Sequence, residues 1–404
     1  MKVAVIGGGA AGFFAAIHVK KNYPQAEVVL LEKTTKILSK VKVSGGGRCN
    51  VTNACKSIPE LAKAYPRGSK LLKKAFHEYN TVDTIQFFEE RNVPLVTQED
   101  QCIFPASNDS QTIIDCFLHE VKKNNIVIFK KRSVIEIELE KIGVNLVFSD
   151  TELAPLFVNK VIIATGGSPK RSGLVWLEKL GHEIIEPVPS LFTFNMPGEK
   201  IRELMGVVIN PAKVSISGTK LKATGPLLIT HWGMSGPAIL KLSAFGARLL
   251  SDKNYEFSVN VNWTNEPDQN LILDRIREII NAHPKKQLSS FRPYGIKERL
   301  WMYLLEKIKL DSIRKWSEIG KKGINKIVNI LSHDVYKVQG KTTFKEEFVT
   351  CGGVSLQSIY YDSMRSKLSD HIYFAGEVMD IDGITGGYNF QSAWTTAFIA
   401  AKLR

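Results

Sequence analysis

The opening of the chain constrains it most: "KVAVIGGGAAGFFAAIHVKKNYPQAEVVLLEK", residues 2–33. Lys2 to Ile6 is apolar and β-branched, Ala10 to Lys21 has a helical pattern, and Glu27 to Leu31 is apolar again. Between the first strand and the helix stands Gly7-x-Gly9-x-x-Gly12. Gly7 allows a tight turn, Gly9 lets a pyrophosphate approach the backbone, and Gly12 lets helix and strand pack closely. Ala10 and Ala11 open the helix, whose positive end faces the phosphates. Glu32, 20 positions after Gly12 and followed by Lys33, ends the second strand. A carboxylate there accepts hydrogen bonds from both ribose hydroxyls and repels a 2′-phosphate. The pattern predicts a Rossmann-like α/β fold with a dinucleotide site that disfavours NADP. The uncharged run Val3 to Val19 after Lys2 resembles a signal peptide only superficially, because its glycines are ordered too specifically.

The other end of the chain points to FAD rather than NAD. "HIYFAGEVMDIDGITGGYNFQSAWTTAFIAAKLR", residues 371–404, carries an apolar strand from Ile372 to Ala375 that runs into Gly376-Glu377. The pair Gly386-Gly387 then opens a helix expected from about Asn389 to Leu403. A carboxylate at such a strand end can hold ribitol and ribose hydroxyls, and the helix N-terminus can stabilise negative charge in a reduced flavin. Tyr388 and Asn389, where the helix opens, are expected to position flavin or substrate. A third piece, "KVIIATGGSP", is a strand from Val161 to Ala164 ending in Thr165-Gly166-Gly167, which suits a crossover back to the nucleotide.

Between these ends the pattern changes twice. After "EPVPSLFTFN", short apolar strands and glycine turns run to about Trp263, and from Asn270 apolar residues recur at helical spacing. The expected organisation is an FAD domain of residues 1–190 and 340–404, a β-rich insert of 191–263 and a small helical insert of 264–339. "YKVQGKTTFKEEFVT" returns the chain to the FAD domain. The formal charge is +14, and Lys285 to Lys326 holds twelve Lys or Arg against four acids. Such a module suits a polyanion such as RNA, while its aromatics Trp301, Tyr303 and Trp316 read as core. Five cysteines without a C-x-x-C pair suggest neither a disulfide framework nor a zinc site, and fit reduced thiols in the cytoplasm. No stretch approaches the ~20 apolar residues of a membrane span.

The remaining motif is "KVSGGGRCNVTN", residues 42–53, in which three glycines precede an Arg-Cys-Asn. Glycines permit close backbone approach, Arg48 supplies a cation for a phosphate or a reduced ring, and Asn50 and Asn53 supply hydrogen bonds. With "IGGGAAG", "ATGG", "THWGMSGPAIL", "TCGGVSL" and "GEVMDIDGITGGYNFQSAWTTA" in the same order, the chain resembles the BaiN-type, or aminoacetone-oxidase-family, FAD-binding flavoproteins. The resemblance covers essentially the whole length. It implies a glutathione-reductase-like FAD domain with a β-rich and helical insert. Carried over by motif, it places Lys40, Ser44, Gly45, Gly46, Gly47, Arg48, Cys49 and Asn50 at the flavin. From the C-terminal part it adds Gly376, Glu377, Asp380, Gly386, Gly387, Tyr388, Asn389 and Gln391.

Members of that family are linked to dihydrouridine formation in ribosomal RNA, to amine oxidation and to bile-acid metabolism. The expected reaction is reduction of a uridine of 23S ribosomal RNA, with NAD(P)H bound transiently because no second G-x-G-x-x-G is present. The alternative is a small-molecule oxidase acting on an amine such as aminoacetone and producing peroxide. Uridine reduction sends hydride to C6 and needs a positioned acid for C5. Three catalytic candidates stand out: Cys49, whose thiolate Arg48 could stabilise; Cys351 in "TCGGV"; and His231 in "THWGMSGPAIL", with Ser235 nearby in sequence.

Overall fold

The computed structural model describes residues 1–342 and 349–404, so most of the second half of the predicted return segment lies outside the described residues. The chain forms two compact units, Met1–Ser190 with Phe344–Arg404, and Leu191–Thr343.

In the first unit β1 (Lys2–Ile6), β2 (Glu27–Glu32), β3 (Val127–Lys130), β4 (Lys160–Ile163) and β5 (Ile372–Phe374) form one sheet in the order β5-β4-β1-β2-β3. Every pairing is parallel, with Val3 opposite both Lys160 and Val28. β1 is apolar on both faces because helices cover both faces of such a sheet, and Val3, Ala4 and Val5 are fully buried. Helix α1 (Ala10–Asn22) and helix α2 (Tyr388–Ala400) pack on one another, with the Phe14 and Trp394 ring centroids 5.2 Å apart. The C-terminal helix thus begins one residue before the sequence expectation. An antiparallel meander of Val134–Glu140, Gly143–Phe148 and Leu156–Val158 leads from β3 into β4.

The second unit is built on a seven-stranded antiparallel sheet. Its strand Asp334–Gln339 pairs along Glu256–Asn262, and the helices Gln269–Ala282, Glu298–Lys307 and Gly320–Ser332 lie in sequence between those two neighbours. Strand residues such as Val259 and Val261 share one core with Ile272, Leu300 and Ile327 of the helices. The boundary expected at residue 264 therefore does not separate two folding units: the helices bury their apolar faces on the sheet itself. Trp301 and Trp316 are fully buried in that core, stacked 6.2 Å apart. Lys307 reaches the buried Asp334 carboxylate at 2.6 Å. The Asp334 carboxylate also accepts from Trp263 Nε1 at 3.0 Å. Among the described residues no helix is long and apolar enough to cross a membrane.

Candidate functional site

The glycine turn is dictated by contact distances. A Cβ on Gly12 would lie 1.9 Å from the Gly7 carbonyl oxygen, and one on Gly7, at φ +117°, 2.3 Å from the Ala164 oxygen. Neither position accepts a side chain. Gly9 differs, since a Cβ there would meet nothing within 4 Å, so the loop is open on the side where a ligand approaches. No side chain caps α1 and no acid occupies its first turn, leaving its positive end available to an anion. Glu32 is oriented by the turn: Oε2 accepts from the Gly8 N–H at 2.9 Å, and Oε1 from the Thr34 N–H and hydroxyl, both at 2.8 Å. Each carboxylate oxygen can accept about two hydrogen bonds, so Oε2 keeps capacity for a hydroxyl. Lys33 is exposed beside it.

The stretch 42–53 meets the C-terminal helix in the same unit. Helix Ser39–Gly47 loses its helical backbone at Ser44, and Gly45, Gly46 and Gly47 follow at φ +59°, +70° and +85°. Cβ atoms on Gly46 and Gly47 would meet nothing within 4 Å, as at Gly166 beyond β4. The loop is sewn to α2 by its own side chains. Asn53 Nδ2 donates to the Gly386 carbonyl at 3.1 Å, Trp394 Nε1 to that of Val51 at 3.0 Å, and Thr52 Oγ1 to Gln391 Oε1 at 2.6 Å. The Asn50 carboxamide oxygen accepts from the Gly387 N–H at 3.1 Å while its nitrogen donates to the Thr52 carbonyl at 2.9 Å. Gly387 must be glycine, because a Cβ would fall 2.3 Å from the Thr52 oxygen.

Several expected ligands make hydrogen bonds or ion pairs within the protein. Gln391 is fully buried, and its amide is shared among Thr52, Thr84 and Thr395, tying α2 to neighbouring segments rather than presenting a hydrogen bond to a ring. Asn389 bridges the Gly383 N–H and carbonyl at 2.8 and 3.0 Å. Lys40 pairs with Glu377 at 2.8 Å, and the other Glu377 oxygen accepts from the Thr350 N–H at 2.8 Å. Asp380, half-buried, lies just after the turn Gly376–Val378. Gly376, at φ +75°, abuts α1, where a Cβ would come 2.9 Å from that of Ala11. Beside Glu377 the Thr350 hydroxyl is buried with no hydrogen-bond partner among the described residues, and it would crowd a Cβ on Gly167 at 2.5 Å. Thr165 is exposed at the mouth of the same turn.

Arg48 is engaged by Phe104 and Gly45. Its guanidinium lies 4.2 Å over the Phe104 ring and Nε donates to the Gly45 carbonyl at 3.2 Å. Cys49 is fully buried at φ +62°, and burial pushes its thiol up to about 12 despite a hydrogen bond with Ser44. Cys351 is fully buried on strand Val349–Val354. Neither thiol is accessible. Tyr388 is only half-buried at the first position of α2, and burial, aided by nearby Cys55 and Cys102, pushes its phenol to about 12. His231 belongs to the second unit. There it is exposed against Trp232, ring centroids 3.8 Å apart, beside a cavity of about 410 Å³ with Glu199, Arg202 and Glu203.

Sequence reasoning passed over a buried cluster in the first unit. Arg67 Nε donates to Asp382 Oδ1 at 2.5 Å, its Nη2 pairs with Oδ2, and the Ser190 hydroxyl donates to Oδ2 at 2.6 Å. Asp382 is fully buried, which raises its carboxyl although Arg67 opposes this. The signal was the acid in "DIDGITGG", next to Gly383.

An all-parallel sheet with a glycine turn after β1, an acid at the end of β2 and a glycine-capped C-terminal helix defines a Rossmann-type flavoprotein. The protein is an FAD-dependent oxidoreductase. It belongs to the family described as HI0933-like protein Rossmann domain, whose model matches residues 1–403. It is 24% identical over 99% of its length to a 3-dehydro-bile acid delta(4,6)-reductase of Clostridium scindens, covering 98% of that protein. It is 26% identical over 98% of its length to the ribosomal RNA dihydrouridine synthase of Escherichia coli, covering 96% of it. In fold it is similar to the 3-ketosteroid delta1-dehydrogenase of Sterolibacterium denitrificans, with a TM-score of 0.51 at 12% identity, covering 99% of this chain and 98% of that one.

Proposed function

We propose that the protein reduces a uridine of 23S ribosomal RNA to dihydrouridine in the cytoplasm, with NAD(P)H as a transiently bound electron source. One observation carries this: a relative matched over nearly its whole length and named a ribosomal RNA dihydrouridine synthase coincides with a segment, residues 285–326, holding twelve cations against four acids. The open glycines and the orphaned Thr350 hydroxyl fit a large polar cofactor lying along the strand ends. The residues that would hold FAD are the Gly7–Gly12 turn for the pyrophosphate, Glu32 for the ribose, and the Gly45–Gly47 loop with the α2 N-terminus for the ring. FAD, when bound and reduced by NAD(P)H, would supply hydride to an electron-poor carbon such as C6 of uracil.

The chain's own task is then to place a proton at C5 and keep bulk water away. Tyr388 offers a donor what the two cysteines lack, a phenol O–H in a partly open position at the head of α2. Cys49, sealed under the glycine loop, is assigned to packing, as is Cys351. A second reading, reduction of a small unsaturated substrate, is supported by the bile-acid reductase relative and needs no cations. Mass spectrometry of ribosomal RNA nucleosides from strains with and without the gene separates the two. Loss of dihydrouridine is expected, and an unchanged dihydrouridine content would leave only the small-molecule reading.

A further inference from the structure

The twelve cations of 285–326 are not equivalent. Arg292 pairs with Glu298 at 3.3 Å and Lys307 with buried Asp334. Arg299 donates to the Glu203 carbonyl at 2.8 Å and Lys326 to that of Ile308 at 2.9 Å. These four serve the fold of the unit. Others are gathered by backbone pairing between two segments. Leu288 N–H donates to the Arg314 carbonyl at 2.9 Å, Trp316 N–H to that of Lys286 at 3.0 Å, and Ser317 N–H to that of Pro284 at 3.1 Å. Gln287 stands opposite Lys315 in an antiparallel bridge.

This pairing, followed at once by the helix Gly320–Ser332, brings Lys285, Lys286, Arg314, Lys315, Lys321 and Lys322 onto one corner of the second unit. All six are exposed. Only Lys315 has an acidic partner among the described residues, Glu318 at 3.6 Å. The two acids in these segments face the backbone: Asp311 accepts from the Ile313 N–H at 3.1 Å and Glu318 from the Lys315 N–H at 3.2 Å. The corner is also firmly seated, since Trp316 and Leu288 are fully buried and Trp301 Nε1 donates to the Leu288 carbonyl at 2.7 Å. Like charges brought together across paired segments oppose folding, and lysines in a first helical turn oppose the helix dipole. An anionic partner relieves both.

We infer that this corner, built from Lys285, Lys286, Arg314, Lys315, Lys321 and Lys322, is the surface by which the protein grips the phosphate backbone of its RNA substrate. The inference rests on the RNA reading above and names where on the chain that affinity resides. A rigid cluster of exposed cations suits a phosphodiester backbone, because binding releases condensed counterions without reordering the protein.

The test compares the FAD-loaded full chain with a variant carrying Lys285→Gln, Lys286→Gln, Lys321→Gln and Lys322→Gln. A charge-matched variant, Lys220→Gln, Lys222→Gln, Lys253→Gln and Lys337→Gln, serves as control, and flavin content reports folding. Binding to transcribed 23S ribosomal RNA is measured over a salt series. The corner variant is expected to bind at least about tenfold more weakly, with the log–log salt slope reduced by about 3, and the control to bind like the wild type. Equal binding by the corner variant, or an equal loss in the control, overturns the inference while leaving the RNA reading intact. A wild type that binds no RNA yet binds phosphatidylserine vesicles overturns both and assigns the corner to a lipid surface, with exposed Ile313 as its apolar contact.

Discussion

In the proposed reading the two units solve the same problem, holding a large anionic partner, by opposite means. In the first unit recognition is made of missing side chains. Gly9, Gly46, Gly47 and Gly166 leave open space, while Gly7, Gly12 and Gly387 let backbones meet at distances that no Cβ permits. In the second unit it is made of long side chains standing clear of a buried tryptophan pair, with little backbone involvement. A pocket built from backbone is rigid and fits one cofactor. A surface built from lysine heads tolerates many local geometries, which suits a polymer read mainly through its phosphates.

The sharpest way to break the contrast is to put a side chain where the first unit has none. Gly12→Val is expected to abolish flavin binding, read from the visible spectrum per mole of protein, because the added Cβ collides with the Gly7 carbonyl. If Gly12→Val retained full flavin, the turn would not be the pyrophosphate site. Next comes chemistry without binding. Tyr388→Phe should keep its flavin and its reduction by NAD(P)H yet lose roughly 10²–10⁴-fold in dihydrouridine formation, the usual worth of a positioned acid. A wild-type rate in that variant would return Tyr388 to positioning.

Stability should divide along the same line. Asp382→Ala leaves Arg67 buried without its carboxylate, which costs about 3–5 kcal/mol for pairs of this kind and should appear in denaturant unfolding of the first unit. His18 and His182 of the first unit are buried, and burial pulls them down to about 3 and about 4. Unfolded, each takes a proton below its ordinary value near 6.5, whereas the folded protein excludes it until the lowered value is reached. Their stabilisation is therefore complete above about pH 6.5 and falls as the pH drops towards 4. Each should cost roughly 2 kcal/mol by pH 5, and His18→Phe should flatten the first unit's unfolding curve against pH. The smallest change expected is Cys49→Ala, with flavin content unchanged and turnover within about twofold. A flavin-replete but inactive Cys49→Ala protein would instead make that thiol the proton donor.

How much of this was legible in the sequence depends on the range of the interactions. The Gly7–Gly12 turn with Glu32, and the strand and glycine pair before α2, are local patterns, and the structure has them within a residue or so. The insert read as two pieces because strand and helix periodicities alternate along it, yet the helices are bracketed by neighbouring strands, and the common core appears only when Asp334–Gln339 pairs with Glu256–Asn262. Gln391 read as a ligand because its motif lies beside the cofactor, whereas its partner Thr52 is 339 positions away. Asp382 and Arg67, 315 positions apart, carry no joint signal in a single chain. The charge of 285–326 was visible, but its sorting into fold-serving and clustered cations depends on which backbone strands pair.

The central claim, that a flavin held by the first unit reduces RNA, is tested most directly under anaerobic conditions. The FAD-loaded protein is photoreduced, mixed with transcribed 23S ribosomal RNA, and followed by flavin absorbance together with nucleoside mass spectrometry. The expected result is reoxidation of the flavin by the RNA with about one dihydrouridine formed per flavin. A flavin that stays reduced in the presence of RNA and is reoxidised only when oxygen is admitted, forming peroxide and no dihydrouridine, would contradict it.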